Sequence, residues 1–543
     1  MGRYMRRKFS RHFGKKAILM SLLAANILNS CGQAAETGMT GENADTSESE
    51  RVTITIFDKN VSGVSFDDAV AKKIMEETGV TIQVMDATAN ADERVQTMLT
   101  NRNYPDIVLM SQGEMVNRYI EAGAFIPLDD LIEEYGPDIK EMYGSVLEKS
   151  RYTDSRIYWL ANWYGPDYDA SAGVLMRRDI LEELVGKERA YSTEPFTQSE
   201  YTELLRLFKE KYPVINGHST IALELDGPAE NYVGTLQGMF GMKSYGENED
   251  GSLSYLPATD RYKEALFYLN DLYREELLDR EWQVKRNWLE TLSGGYVFST
   301  WNSYWDVAGV NENLEASLGP EAQFYCFKVV ADDISPEDTT YNPRNSLGWD
   351  AIGITDKCEN PEAAMKVINY LASEEGQYLM LWGIEGETWE YEDGVHTPYE
   401  SFWNQWDSDQ ETTKKTTGVR RWTWFIKNGK GSDGTYYDLT NKYIPDEVTD
   451  FANSVFGESD YWDTAEFNGL EPGESTEIGL SWQRIENLYD QYYARVIDAA
   501  DHEEAESIYR MMLEEMRAAG LEKCEEYISD AYRRRMQLWG SLD

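Results

Sequence analysis

The stretch from Val52 to Met110 limits the possible folds more than any other part of the chain. Three apolar, β-branched runs (Val52–Phe57, Val80–Met85 and Pro105–Met110) alternate with two helical segments, Asp67–Thr78 and Asp92–Thr100. Short apolar runs bounded by turn residues read as buried strands, and Gly79 suits the left-handed position that closes the first helix. Strands joined by helical crossovers run parallel, so the alternation predicts an α/β layer architecture. Ligands gather at the carboxyl ends of such strands. That rule nominates Asp58 and Lys59 after the first strand, and Ser111 and Gln112 after the third.

At 543 residues the chain exceeds one compact core and implies about two to four domain-sized units. Arg156–Leu160 reads as a strand leading into Asn162-Trp163-Tyr164-Gly165-Pro166, whose Gly-Pro redirects the chain. Gly173–Arg178 is a short strand followed by a helix over Asp179–Val185, and a further helix runs to Tyr212 with Thr197 or Ser199 as its cap. Asn360-Pro361-Glu362 opens another helix, with Ala364, Val367, Ile368 and Leu371 on one face and Gly376 as its end. Near the C-terminus Ile485, Leu488, Tyr489, Tyr492 and Val496 form a core-facing stripe, and a second helix follows near 503–518. The Arg533-Arg534-Arg535 run reads as a solvated helix face.

Net charge is −46, a surface that repels nucleic acid and anionic headgroups. The four histidines and four cysteines show no His-x-x-x-His or Cys-x-x-Cys spacing, so no zinc site, other metal or cofactor is expected. A Cys326–Cys358 disulfide is geometrically conceivable and left open. Residues 1–16 carry seven bases and no acid, ahead of a twelve-residue apolar run, Ala17–Leu28, too short for a permanent membrane span. The following Leu28-Asn29-Ser30-Cys31 resembles the lipobox of bacterial lipoproteins, in which the signal peptide is cut before a cysteine that then carries lipid. That likeness implies a signal peptide over 1–30, lipidation at Cys31 and an extracellular mature chain. Residues 31–50 are small, polar and acidic, the composition of a disordered tether.

Several runs together resemble the family 1 extracellular solute-binding proteins, the lipoprotein receptors of carbohydrate ABC importers in Gram-positive bacteria, LplA-like proteins among them. They are PDIVLMSQG (105–113), GAFIPLDDLIEEYG (123–136), RIYWLANW (156–163), GVLMRRDILEEL (173–184), PFTQSEYTELLRLFKEKYP (195–213) and NPEAAMKVINYLASEEGQYLMLWGIEGETWEYEDG (360–394). The resemblance implies a two-lobed, periplasmic-binding-protein-like α/β fold of type II, with several hinge crossings and a ligand cleft between the lobes. It implies an N-terminal lobe from 51–165 and 325–355 and a C-terminal lobe from 166–324 and 356–543, with crossings near 163–173, 325–332 and 355. It also implies a monomer on the outer face of the cell membrane, held there by its lipid anchor alone, with an oligosaccharide ligand and the transmembrane subunits of an ABC permease as partners. Some members hold calcium in an acidic loop; the corresponding Tyr212–Ser219 offers too few oxygen ligands for that site.

Aromatic residues make up 13% of the chain, with 16 tryptophans, several of them in expected loops. A sugar ring presents an apolar C–H face and a rim of hydroxyls, so its receptor needs flat aromatic platforms beside carboxylate and amide partners. Trp163, Trp301, Trp305, Trp349 and Trp389 are the candidate platforms, with Tyr164 beside the first. Asp58, Gln112, Asn302 and Asp350 are the candidate hydroxyl partners. Trp301 ranks first because the resemblance puts it where a strand delivers an indole into the cleft, and it places the Gly386–Trp389 loop near the sugar. No Gly-x-Ser-x-Gly, His-Glu-x-x-His or phosphate-binding Gly-rich motif occurs, so the chain reads as a receptor rather than an enzyme. A membrane-tethered glycan hydrolase and a surface glycan adhesin are the rival readings.

Overall fold

The computed structural model describes residues 51–61, 65–85, 90–284, 287–442, 446–473 and 476–540. The expected signal peptide, Cys31 and the tether lie outside the described residues. The chain builds β1 (Thr53–Asp58), β2 (Thr81–Met85), β3 (Ile107–Ser111) and β4 (Leu160–Ala161). It continues with β5 (Gly173–Arg177), β6 (Ile221–Glu224), β7 (Val297–Asn302) and β8 (Phe324–Phe327), and returns with β9 (Asp350–Ile354). These strands make two sheets. The first is ordered β2-β1-β3-β9-β4, with β1 parallel to β2 and β3, and β9 antiparallel to both its neighbours. The second is ordered β6-β7-β5-β8, with β6 parallel to β7 and β5 antiparallel to β7 and β8.

Local chemistry sets the element ends. Asp68 caps the Ala69–Thr78 helix by accepting from the Ala71 amide at 2.8 Å, and Gly79 closes it at φ 68°. Thr197 and Glu200 form a reciprocal capping box at the start of the Gln198–Lys211 helix, which satisfies two amide donors the helix itself leaves open. β1 is buried on both faces, as a parallel strand covered on each side should be. Ile54 and Ile56 join one core while Phe57 joins Val95, Met98 and Tyr119 on the other. The helix Pro361–Ala372 lays Ala364, Val367, Ile368 and Leu371 onto the Ile54–Ile56 side.

Gly376 does not end that helix. The helix stops at Ala372, Ser373 caps a second one, Glu374–Trp382, and Gly376 sits in its first turn. A Cβ at Gly376 would stand 2.0 Å from the Tyr370 carbonyl oxygen. Glycine is required there by close backbone approach, not by a turn.

With the Ile54–Ile56 core of the first sheet as the first core and that of the second sheet as the second, the chain divides differently from the expected 325–355 and 356–543 boundaries. The first core passes to the second between Tyr164 and Ala170, returns between Tyr341 and Leu347, and passes over again between Leu439 and Ala452; among the described residues, Ala465 alone of the later buried ones packs on the first core. β8 stays with the second sheet because it pairs with β5, and Val329 and Tyr341 remain in that core. Beyond residue 355 the helices of 361–382 and the tryptophans Trp406, Trp422 and Trp424 pack on the first sheet, because their apolar faces complete its core. Cys326 lies in the second core and Cys358 at the edge of the first; both are free thiols, as is Cys524. Among the described residues no helix is long and apolar enough to cross a membrane.

Candidate ligand-binding site at the hinge

The carboxyl ends of β1 and β3 and the start of β9 meet at one edge of the first sheet, where Asp350 pairs with Ser111. The Asp350 carboxylate is fully buried; Lys59 Nζ approaches it at 2.5 Å and Asn60 Nδ2 donates to it at 2.9 Å. The same ammonium donates to Ser111 Oγ at 2.7 Å. Burial pushes the Asp350 carboxyl up, with Lys59 and Asn60 pulling the other way. Asp58 is buried too, accepting from the Asn60 amide at 2.8 Å and from Trp424 Nε1 at 2.8 Å. Its carboxyl is also pushed up by burial, opposed by those two hydrogen bonds. Gln112 Nε2 donates to the carbonyls of Leu347 (2.7 Å) and Asp350 (3.2 Å), and its amide donates to the Trp349 carbonyl at 3.0 Å. Gln112 therefore holds the segment that carries Trp349.

Trp349 and Trp163 form an indole pair, ring centroids 5.1 Å apart and tilted by 36°. Gly348 makes the pairing possible. It sits at φ 61°, and a Cβ there would be 2.6 Å from the Trp163 carbonyl oxygen, so no other residue lets the two segments approach this closely. Trp163 is fixed from behind: its Nε1 donates to Asn428 Oδ1, and the Arg420 guanidinium lies 5.5 Å from the ring centroid. Arg420 is itself held by Asp438 at 2.5 Å. Trp349 keeps 46% of its surface exposed, which is unusual for so large an apolar group.

On the second sheet, β7 ends at Asn302, and the turn that follows carries Trp305, 45% exposed. The Arg344 guanidinium lies 5.7 Å from the Trp305 ring and donates through Nη2 to the Asp169 and Ala170 carbonyls, 3.2 Å each. Lys442 bridges the carboxylates of Asp167 and Asp169 beside it. Burial alone would lower the Lys442 pKa, but the two carboxylates outweigh it and the ammonium is held above its ordinary value. Trp305 and Trp349 are the only exposed tryptophans among the described residues. They flank the segment Arg344–Gly348, where the chain returns from the second core to the first.

The sequence profile of the bacterial extracellular solute-binding proteins matches residues 59–378, more than half of the chain. The chain belongs to that family. The fructooligosaccharide ABC transporter substrate-binding protein FusA of Streptococcus pneumoniae is 24% identical over 281 residues, 47% of this chain and 50% of FusA. The match thus spans about half the length of that curated relative. An extracellular solute-binding protein from Bifidobacterium longum subsp. infantis superposes with a TM-score of 0.64 at 16% identity, covering 89% of this chain and 98% of the other. FusA in complex with kestose superposes with a TM-score of 0.53 at 15% identity, covering 90% of this chain and 100% of that one. The N-glycan transport protein NgtS of Streptococcus pneumoniae does so with 0.53 at 13% identity, covering 90% and 99%. The fold is the two-domain, periplasmic-binding-protein-like one.

Within this solute-binding protein the expected site residues fall into two groups. Asp58, Gln112, Trp163, Trp349 and Asp350 come together at the first sheet, and Asn302 and Trp305 stand at the end of β7. Trp301, Tyr164 and Trp389 do not join them. Trp301 points to the opposite face of β7 from Asn302 because side chains alternate along a strand; it is fully buried and donates to the Tyr201 hydroxyl at 3.1 Å. Tyr164 is fully buried and stacked on Tyr143 at 3.6 Å. Trp389 is packed against His396 and Trp382, with its Nε1 donating to the Gly383 carbonyl at 3.1 Å. Asp58 and Asp350 are buried and engaged by protein partners, Asp58 by the Asn60 amide and Trp424 and Asp350 by Lys59 and Asn60, so they hold Trp424 and Lys59 in place. Sequence reasoning missed Arg344 and Arg420. The run Asn342-Pro-Arg-Asn-Ser-Leu-Gly-Trp349 carried a signal for the first, a polar, Gly-containing return loop that ends in tryptophan.

Proposed function

We propose that this protein is an oligosaccharide receptor of an ABC importer. It stacks sugar rings on Trp349, backed by Trp163, and on Trp305, and it releases the glycan unaltered to the permease. The observation that carries this reading is the pair of exposed indoles on either side of the Arg344–Gly348 return segment, one attached to each sheet. Indoles left open to water at such a place suit the apolar face of a pyranose or furanose ring. A ligand touching both platforms favours the closed arrangement, because only that arrangement supplies both contacts. The carbohydrate class draws support from the relatives, whose names refer to fructooligosaccharide, N-glycan and HMO ligands. Tethering through a lipidated Cys31 on the outer face of the membrane, action as a monomer and the absence of catalysis belong to the same reading.

The test is isothermal titration of the 51–543 chain with 1-kestose, maltotriose, cellotriose and N,N′,N″-triacetylchitotriose, with each sugar recovered and analysed afterwards. Micromolar or tighter binding of at least one sugar, recovered intact, is expected. Cleaved sugar, or no binding by any member of the panel, refutes the proposal.

A further inference from the structure

β7 carries a second feature on the face away from Trp301. Thr300 and Asn302 alternate onto that face. They are 1% and 3% exposed, yet Thr300 Oγ1 and Asn302 Nδ2 have no hydrogen-bond partner among the described residues. The Asn302 amide is oriented by its own oxygen, which accepts from the Ser303 amide at 2.8 Å, so its two N–H donors point elsewhere. Glu224 stands in register with Thr300 on β6, and parallel partners share a face, so its buried side chain lies alongside. Buried polar groups in folded proteins nearly always find a partner, and leaving one unmade costs stability. Here two fall on one strand face, at the carboxyl end of the sheet's parallel pair, where ligands of α/β sheets collect. Three residues further on stands the exposed ring of Trp305.

We infer that Thr300 and Asn302 form a specificity-determining subsite for the uncharged sugar residue stacked on Trp305. Asn302 Nδ2 donates to one ring hydroxyl, and Thr300 Oγ1 exchanges a hydrogen bond with its neighbour. The group selected is a vicinal pair of neutral hydroxyls. A hydroxyl both donates and accepts, which suits an amide donor next to a threonine. The inference rests on the oligosaccharide reading above and adds to it the residues that choose the sugar.

Thr300→Val tests it, because the substitution keeps the shape of the side chain and removes only the hydroxyl. An orphaned polar group with no ligand role predicts a variant as stable as the wild type or more so, with unchanged affinity. The subsite predicts the same melting behaviour together with affinity weakened about tenfold for whichever of 1-kestose, maltotriose, cellotriose and triacetylchitotriose binds the wild type. Thr300→Ser restores the hydroxyl and is expected to restore the affinity. Affinity of Thr300→Val within about twofold of wild type overturns the subsite while leaving the receptor reading intact. Should Thr300→Val melt early, Asn302→Ser decides, and unchanged affinity in that variant overturns the inference. Failure of the wild type to bind any of the four sugars overturns the receptor reading and the subsite with it.

Discussion

Replacing Trp349 by alanine separates a binding role from a packing role, and its effect can be sized from the structure. The indole leaves 46% of its surface open. On a side chain of roughly 250 Å² that is roughly 115 Å², of which a ring on one face covers about half. At about 25 cal/mol per Å² the lost contact is about 1.4 kcal/mol, or close to tenfold in Kd. The same substitution leaves the protein's stability within about 1 kcal/mol, since the residue is half exposed and opens no large cavity. Trp301→Ala is the contrast. That side chain is fully buried and bonded to Tyr201, so its truncation costs about 3–5 kcal/mol of stability. Titration calorimetry and thermal melts on both variants check the pair. If Trp349→Ala binds sugar as tightly as the wild type, exposure has misidentified the platform and the reasoning fails.

Other outcomes follow from the same contacts. Gly348→Ala places a methyl against the Trp163 carbonyl at φ 61°, so it should cost about 1–3 kcal/mol of stability and weaken sugar binding as Trp349 is displaced, measured by melts and titration. Lys59→Met strands the buried Asp350 carboxylate and should cost about 3 kcal/mol near neutral pH. Because burial already holds that carboxyl above its ordinary 3.8 and Lys59 opposes the shift, the deficit should shrink as the pH falls towards that value and Asp350 protonates; a pH-independent deficit in denaturant melts counts against this. Asp433 accepts from the His396 amide and the Thr435 amide, both at 2.9 Å, and pairs with His396 Nδ1 at 2.7 Å. Its carboxyl is held well below 3.8, because these bonds outweigh the burial that would raise it. Asp433→Ala should therefore cost about 2–4 kcal/mol above pH 3.8, a difference that closes as the wild-type carboxyl protonates on further acidification.

The sequence revealed the fold in its first hundred residues and then became progressively harder to read. The expected strands and helices between Val52 and Met110 lie within two residues of those in the structure, because each has its own cap or apolar pattern. The expected strand over Arg156–Leu160 shrinks to Leu160–Ala161, the part that pairs with β9, while Ile157 makes only an isolated bridge to Arg151. Strand pairing between residues far apart in sequence is invisible in a local pattern. The same limit explains the displaced crossings: whether 356–442 completes one core or the other depends on which apolar face lies open, and both cores are open to a helix until the chain is folded. The Arg533–Arg535 run shows the point at a single residue. Arg535 caps the carbonyls of Ala465, Glu466 and Asn468 instead of facing water. For the site, residue type identified Trp305 and Trp349, while Trp301, the same residue type, lies within β7 on the face opposite Asn302 and is buried. A shift of one residue along a strand separates a ligand surface from an interior.

The short return from Arg344 to Trp349 joins two duties that other receptors could keep apart. Arg344 steadies the Trp305 ring, Gly348 seats Trp349 on Trp163, and the turn between them is closed by the Asn345 side chain donating to the Gly348 carbonyl at 2.5 Å. Any swing of one sheet relative to the other must be taken up by the backbone torsions of this brief span and of the two other passages. The spacing between the two indole surfaces is thereby set by the same few bonds that bend. Under the proposed receptor function, a lengthened or slackened turn here would alter both the size of ligand accepted and the ease of shutting upon it.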